Sequence, residues 1–247
     1  MMETLTNEAK KMGLEINEGK TKFMKITAID RRTDTQDFVM ENVKFEKFRN
    51  FTYLGTVINN KNIISEEIDK RIMIANRAYY ANSKILKSRL ISHNTKMKIY
   101  KTLIRPVATY GAEAWTLTTK DATKLKTLER KVVRRIYGGI NENGLWRVRN
   151  NKEINDILQG QDIVKFIKAQ RIRWLGHVMR MDAERMPKAV YKTKMEGQRK
   201  RGRPRSRWGD EIEKDLREMG INNWRSKAQD REKWRGIVRE AKAHPAL

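Results

Sequence analysis

Acidic residues are considered first, because nucleotidyl transfer uses two metal ions about 4 Å apart that carboxylates bridge. No two aspartates are adjacent anywhere in the chain. The acidic residues near the start stand among polar helix formers, without the flanking apolar strand residues of a metal-bearing hairpin; they are Glu3, Glu8, Glu15 and Glu18. The sequence therefore predicts a solvated helix face at these positions and no complete catalytic metal centre.

Cysteine and histidine chemistry is equally restricted. The chain has no cysteine, which removes disulfides, thiolate catalysis and cysteine-based zinc sites. Its histidines, His93, His177 and His244, have no ligand spacing to one another. We therefore expect no metal site and interpret His177 as a hydrogen-bonded structural histidine. A nuclease is disfavoured, because the triplet Glu240-Ala241-Lys242 lacks a neighbouring acidic strand motif.

The net charge points to the kind of partner. The 247 residues include 55 Lys and Arg against 30 Asp and Glu, a formal charge of +25. Most of the excess lies in residues 61–195, and such a charge predicts a polyanionic partner. A membrane is disfavoured because no run of about 18 apolar residues and no signal-peptide pattern occurs. We expect an intracellular protein, nuclear or cytoplasmic.

The first 60 residues predict one helix followed by strands. Glu3 to Met12 contains helix formers, and Gly13 stands at the position of a helix C-cap. Three β-rich runs follow, at residues 22–29, 37–43 and 51–58. We interpret residues 20–60 as a small antiparallel sheet or set of hairpins.

From Ile64 the apolar period becomes helical. A stripe from Ile64 to Leu86 predicts a first long helix, with Ser65 as its N-cap. A second helix is predicted from Asn94 to about Leu103, ending before Pro106, because the residue that precedes a proline is biased away from helix. We expect the aromatic residues between 100 and 115 to pack in the core.

The predicted helix from Asp121 to Tyr137 carries a strongly basic face opposite its apolar stripe. Like charges four residues apart repel by a few tenths of a kcal/mol each, and a bound phosphate backbone would relieve that repulsion. We therefore favour phosphate contact over a merely solvated face for five residues: Lys124, Arg130, Lys131, Arg134 and Arg135.

The remaining segments predict a loop and three more helices. Residues 141–151 are expected to form a loop around Trp146, and Asp162 to Met181 a helix whose buried stripe includes Trp174. Residues 208–219 and 234–241 have helical stripes, and we expect them to pack as a helical hairpin that buries Trp208 and Trp234.

Residues 199–208 form a basic linker in which Gly and Pro prevent regular helix. Within it, Arg201-Gly202-Arg203-Pro204 matches the core of an AT-hook, whose arginines enter a narrow A·T minor groove. Because the motif is so short, we favour generic phosphate contact over A·T-selective binding. The predicted contacts are Arg199, Lys200, Arg201, Arg203, Arg205 and Arg207.

Several blocks resemble the reverse transcriptases of non-LTR (LINE-type) retrotransposons. GLEINEGKTK at 13–22 and YLGTVI at 53–58 resemble the late palm motifs of that family. YKTLIRPVATYGAEAW at 100–115 resembles a block that follows the palm, and RWLGHVMRM at 173–181 a C-terminal signature. GQRKRGRPRSRW at 197–208 also recurs in the family. The resemblance covers nearly the whole chain, although the Cys/His knuckle of many relatives is missing.

The resemblance implies an RNA-directed DNA polymerase that copies element RNA from a nicked chromosomal primer. The family's Tyr-x-Asp-Asp tetrad and its Mg²⁺ would lie upstream of Met1, so this chain by itself is expected to bind RNA/DNA template-primer without polymerising and to hold no cofactor. Lys20 would be the remnant of a general-acid lysine, with Lys22 as a further nucleic-acid contact. Tyr53, Leu54 and Gly55 would form the primer grip.

The predicted fold class is α+β, mostly α. We divide the chain into a palm remnant with a primer-grip-like hairpin (1–60), a helical thumb-like domain (61–195), a basic linker (196–207) and a C-terminal helical hairpin (208–247). A separate upstream palm and fingers segment is a possible partner.

Two alternatives remain. The chain could be a DNA-binding or architectural protein derived from the element, with the AT-hook-like linker as its DNA-reading segment. It could also come from a decayed insertion whose product is never a stable protein.

Overall fold

The computed structural model describes residues 2–17, 19–24, 38–40, 43–61, 63–193 and 207–247. These residues divide into two compact units, an N-terminal unit up to Ile63 and a helical unit from Ile64 onward. Helices dominate, and the strands form small antiparallel pairs. The predicted α+β, mostly α fold class is thereby confirmed.

The N-terminal unit contains one helix and two antiparallel strand pairs. Helix α1 ends where Gly13 adopts a φ of +70°, which confirms its role at the C-terminus of the helix. Phe23 forms an isolated parallel bridge with Lys47. The elements are α1 (Met2–Lys11), β1 (Phe38–Met40), β2 (Val43–Phe45), β3 (Asn50–Tyr53) and β4 (Thr56–Asn59), paired β1–β2 and β3–β4.

The β-rich run at residues 51–58 is a hairpin. Strands β3 and β4 pair with Tyr53 opposite Thr56. The two residues between them, Leu54 and Gly55, have φ angles of +47° and +81°. Positive φ at both central positions is the requirement of a type I′ turn, whose twist suits a two-residue hairpin. Residues 25–37, which include most of the first predicted strand, lie outside the described residues.

The helical unit consists of helices α2 to α12 and one short hairpin. Its helices are α2 (Ser65–Ala81), α3 (Ser83–Lys87), α4 (His93–Ile99), α5 (Arg105–Ala108), α6 (Thr119–Tyr137), α7 (Asn151–Ile157), α8 (Ile163–Met179), α9 (Met186–Lys192), α10 (Trp208–Glu218), α11 (Trp224–Gln229) and α12 (Arg231–Ala241). The hairpin pairs β5 (Ile140–Glu142) with β6 (Leu145–Arg147). Throughout the described ranges, every helix is too short or too polar to cross a membrane.

Two predicted boundaries in the first helices were wrong. Ile64 occupies the N-cap of α2, and the Ser65 hydroxyl donates instead to the Asp121 carboxylate across 3.0 Å. The chain also stays helical through Pro106, because a π-helical segment at Tyr100–Ile104 joins α4 to α5. Pro106 then stands in the first turn of α5, directly after the π-helical segment.

The predicted loop around Trp146 is the β5–β6 hairpin. Its turn residues, Asn143 and Gly144, have φ angles of +54° and +87°. Asn-Gly is the dipeptide that favours a type I′ hairpin turn, so the local sequence specifies this structure. Trp146 lies on β6 with 75% of its surface exposed.

Helix α8 lies at the centre of the helical unit. Its buried positions run almost all the way around the helix, from Ile163 to Val178, as expected for a helix covered on several sides. Its N-terminal half packs with α2 and α6, around Leu125 and Trp115. Its C-terminal half packs with α10, α11 and α12 in a second core.

The C-terminal residues therefore pack differently from the predicted hairpin. Three helices, α10 to α12, cover one side of α8 and share its core. Trp234 is buried, as predicted, but Trp208 is only half-buried, and its indole N–H donates to the carbonyl oxygen of Glu113 across 2.7 Å. The apolar stripes correctly predicted which helix faces are buried. The element against which these faces pack is α8, which the predicted hairpin did not include.

Charged side chains are also buried along α8. Arg171, only 2% exposed, pairs with Glu211 of α10 at 2.8 Å, and Lys168 pairs with Asp215 at the same distance. Burying an ion is costly unless it is paired, so these contacts restrict how α10 can lie on α8.

Candidate nucleic-acid interface

A groove of about 1220 Å³ lies between α8 and α12. The two helices run antiparallel: the indole N–H of Trp234, near the start of α12, donates to Ile172 O of α8 across 3.0 Å. At the opposite end, Gly160 before α8 lies next to Ala243 after α12. We call this feature, between residues 166–185 and 231–242, the α8–α12 groove.

Basic side chains line both sides of the α8–α12 groove. One set comes from α12 and the residue that follows it, namely Arg231, Arg235, Arg239 and Lys242. The other comes from α8 and the turn after it, namely Arg173, Arg180 and Arg185. Seven cations face three acidic residues, which are Glu113, Asp182 and Glu232. A concave site with this excess of positive charge suits an extended polyanion.

Four aromatic side chains line the groove: Phe166, Trp174, His177 and the buried Trp234. Trp174 is half-buried on α8 and lines the groove, and the exposed His177 ring lies 5.1 Å from it, centroid to centroid, at an interplanar angle of 50°. His177 makes no hydrogen bond through its ring within the described part of the chain, so its interpretation as a hydrogen-bonded structural residue was wrong. Cations interleaved with aromatic rings are the usual composition of a nucleic-acid-binding surface.

The RWLGHVMRM string at 173–181 divides its residues between core and groove. Leu175, Gly176 and Val178 are buried against neighbouring helices. Five of the other side chains line the groove, namely Arg173, Trp174, His177, Arg180 and Met181, while Met179 packs against the core. One stretch of α8 therefore fixes the position of α12 and supplies the chemistry of the groove.

Arg180 is held at one end of the groove. Its Nη1 donates to the carbonyl oxygen of Ala228 across 2.5 Å. Partial burial lowers the pKa of its guanidinium, and the neighbouring positive charge of Arg231 lowers it further. Two cations in such proximity repel, and an anion bound between them would relieve that repulsion.

All five predicted phosphate contacts lie on α6, and four of them form hydrogen bonds or ion pairs with other residues of the protein. Lys124 pairs with Asp69 at 2.5 Å. Lys131 donates to Asn76 and to the Tyr80 hydroxyl, and lies over the rings of Tyr79 and Tyr80. Arg134 and Arg135 donate to Arg149 O and to the Tyr79 hydroxyl, respectively. Arg130 is half-buried on the same helix. Their contact with phosphate stays a prediction.

The predicted residues of the N-terminal unit lie in turns and at strand edges. Lys20 is exposed in a turn stabilised by Asn17, whose side chain accepts its backbone N–H at 2.9 Å. Lys22 pairs with Glu46 at 3.4 Å. The predicted primer grip is the β3–β4 turn, where Tyr53 and Leu54 are 57% and 74% exposed and Gly55 completes the turn.

The basic linker is only partly described. Arg207 is exposed at the N-cap of α10. Arg199, Lys200, Arg201, Arg203 and Arg205 lie outside the described residues. The AT-hook-like motif is therefore known from the sequence alone.

Sequence reasoning missed the groove. It placed Trp174 in a buried stripe and assigned no contact to Arg173 or Arg180. One signal was available, because Arg231, Arg235 and Arg239 recur every four residues and so share one face of a helix. Their proximity to α8 follows from tertiary packing, which no local pattern contains.

Within the described ranges, no three His, Asp or Glu side chains cluster as metal ligands would.

Comparisons with known proteins give one informative relative. No protein-family model and no solved structure matches the chain. A Caenorhabditis elegans protein, named as an uncharacterized transposon-derived protein, is 25% identical over 245 residues, which cover 97% of this chain and 88% of that protein. This chain is similar to a transposon-derived protein. The match extends across both units and supports a transposon origin.

Proposed function

We propose that this chain is the nucleic-acid-binding C-terminal part of a non-LTR retrotransposon reverse transcriptase, and that it holds RNA/DNA template-primer. The observation that carries the proposal is the α8–α12 groove, where seven cations surround Trp174 and His177. The similarity to a transposon-derived protein and the motif blocks support the same conclusion. Without paired aspartates, the chain binds but does not polymerise.

Other predicted contacts belong to this proposal. The turn at Tyr53 to Gly55 would contact the primer end, and Lys20 and Lys22 of the same unit would add nucleic-acid contacts. The basic residues of α6 and of the linker would add phosphate contacts.

The proposal is tested by fluorescence anisotropy with the full chain at several salt concentrations. The labelled ligands are an RNA/DNA primer-template hybrid and an A·T-rich DNA duplex, with polyglutamate as competitor. We expect tighter binding to the hybrid, and the logarithm of affinity should fall by about 0.9 per phosphate contact for each log unit of salt. Polyglutamate should compete poorly. The absence of binding, or equal competition by polyglutamate, contradicts the proposal.

The same titration distinguishes the architectural alternative. If the AT-hook-like linker is the reading segment, the A·T duplex binds more tightly than the hybrid. That preference then disappears in the Arg201→Gln/Arg203→Gln variant. An unchanged hybrid preference in this variant favours the reverse-transcriptase proposal.

A further inference from the structure

We infer that the α8–α12 groove selects single-stranded nucleic acid, with an unpaired base stacked on Trp174 and the backbone following the cations of α12. This inference rests on the proposed function and specifies which form of nucleic acid the groove takes. Three features of the groove carry it: its aromatic wall, the spacing of its cations and the distribution of its acidic residues.

The aromatic wall favours an unpaired base. Trp174 is half-buried on α8, and the surface that it retains belongs to the lining of the groove. His177 lies 5.1 Å away and extends the same aromatic surface along the helix. Bases in a duplex already stack on their neighbours, whereas an unpaired base has a free face to place on an indole. Stacking of this kind tolerates any base sequence.

The cations of α12 form a row along the facing wall. Arg231, Arg235 and Arg239 are each exposed and stand four residues apart on the helix. Four residues advance an α-helix by about 6 Å, a spacing comparable to that of consecutive phosphates in an extended strand. Lys242 continues the row beyond the end of α12. A single backbone can therefore meet one cation per helical turn.

Several of these cations have no ion-pair partner among the residues that the structure describes. Arg235 pairs with Glu232, while Arg231 and Arg239 form no ion pair within the described ranges. The basic residues of α6 differ, because Lys124 bonds Asp69 and Lys131 bonds Asn76 and Tyr80. Binding a phosphate in the groove therefore breaks fewer existing contacts than binding one on α6.

Most cations of this row have no acidic residue beside them in the lining of the groove. Glu113 and Asp182 belong to the part of the lining outside α12, and Glu232 lies at the first turn of α12. The C-terminal half of α12 and the residue after it contribute Arg239 and Lys242 to the lining without an acidic residue beside them in it. A strand entering from that end meets cations first and reaches Trp174 farther along.

The test compares three ligands of equal length with the full chain: a labelled oligothymidylate single strand, a DNA duplex and an RNA/DNA hybrid with a single-stranded template overhang. The variants are Trp174→Ala, Trp174→Phe and the control Trp146→Ala, which removes an exposed tryptophan from β6, outside the groove. Circular dichroism melting accompanies each variant.

Trp174→Ala is expected to weaken single-strand binding by about 5- to 150-fold, the effect of losing one stacked base. Duplex affinity should change by less than about 2-fold, and Trp174→Phe should recover most of the loss, because it restores an aromatic face. Trp146→Ala should behave as wild type. If Trp174→Ala affects single strand and duplex equally, or no more than Trp146→Ala does, the inference is overturned while the proposed function stands. If the wild type binds none of the ligands, the proposed function itself fails.

A second measurement on the wild type avoids dependence on variant folding. A single strand carrying 5-iodouracil is irradiated in complex with the protein, and mass spectrometry locates the crosslink. An adduct at Trp174 or His177 supports the stacked base. Adducts confined to aromatic residues outside the groove, such as Trp146, overturn the inference.

Discussion

The Cα of Gly176 lies directly against the ring of Trp234. An ideal Cβ at position 176 would stand 2.0 Å from the indole Nε1 and 2.3 Å from Cδ1, closer than any Cβ contact tolerates. Glycine therefore allows α12 to approach α8, where the Trp234 N–H donates to Ile172 O. The α8–α12 groove has its width because this contact sets the distance between the two helices.

Gly176→Ala should destabilise the protein in spite of the higher helix propensity of alanine. The new methyl group forces Trp234 to move, and overpacking of this kind costs about 1–3 kcal/mol. Urea denaturation followed by circular dichroism measures the free energy of unfolding. Gly236→Ala, on α12, is the matched control, because a Cβ there meets nothing within 4 Å.

The control should gain about 0.5–1 kcal/mol, because alanine is favoured over glycine inside a helix. Opposite signs for the two substitutions would show that the contact with Trp234, not glycine content, decides the outcome. A Gly176→Ala protein as stable as the wild type would contradict this account of the helix contact.

Glu129 should make stability depend on pH. Its two carboxylate oxygens accept hydrogen bonds from the Tyr100 hydroxyl and the Ile163 N–H, both at 2.8 Å. Burial raises the pKa of Glu129 from 4.5 to about 7. Between these values the folded state keeps a proton that the unfolded state has lost. This residue's contribution to stability is therefore complete below pH 4.5 and is lost as pH rises through 7.

Glu129→Gln removes the titration and keeps hydrogen-bonding groups at the same position. The free energy of unfolding of the variant relative to wild type should rise between pH 4.5 and 8, by at most about 3 kcal/mol for a shift of this size. Urea denaturation at a series of pH values measures this difference, and Glu153→Gln is a control at a more exposed carboxylate. A difference that stays constant with pH for Glu129→Gln would contradict the raised pKa.

The Arg171–Glu211 pair predicts a strongly asymmetric double-mutant cycle. Arg171 is 2% exposed and Glu211 20%, and their side chains are 2.8 Å apart. Glu211→Gln leaves a buried guanidinium without its counter-charge and should cost about 3 kcal/mol or more. Arg171→Met/Glu211→Leu removes both charges and should recover most of that loss, as measured by urea denaturation.

The control pair is Arg225–Glu213, whose side chains are 66% and 31% exposed. The corresponding Glu213→Gln substitution should cost no more than about 1 kcal/mol, because solvent screens the remaining charge. Equal losses for Glu211→Gln and Glu213→Gln would mean that burial does not decide the energetics of these pairs.

Local patterns predicted the fold where one residue type dictated the backbone. Gly13 ends α1 with a positive φ angle, as expected, and α6 buries the apolar stripe opposite its basic face, including Leu125 and Val132. The Asn143-Gly144 dipeptide also indicates a hairpin turn, but it was interpreted as part of a loop. Pro106 predicted the end of a helix, but the chain continues through a π-helical segment into the first turn of α5.

The candidate site could not be predicted in the same way, since it depends on contacts between residues distant in sequence. Trp174 follows an apolar period, which predicts burial, yet α12 covers Gly176 and leaves the indole half-exposed in the groove. The basic face of α6 is a genuine sequence pattern, but Tyr79 and Tyr80 of α2 satisfy part of it. The sequence supplies the residue types, whereas tertiary packing determines which of these side chains line the groove.

The most direct test of the central claim compares two variants that each lose three positive charges. One removes the α12 row, Arg231→Gln/Arg235→Gln/Arg239→Gln. The other removes exposed cations on and just after α3, Lys84→Gln/Lys87→Gln/Arg89→Gln. Both lower the net charge equally, so any difference in affinity reports position.

Anisotropy titration of both variants against the RNA/DNA hybrid with a single-stranded overhang, at several salt concentrations, is the measurement. We predict that the α12 variant loses on the order of 10- to 100-fold in affinity and that its salt slope falls by up to about 3, while the α3 control changes by less than about 3-fold. Equal losses in the two variants would contradict the claim that the α8–α12 groove is the nucleic-acid-binding site.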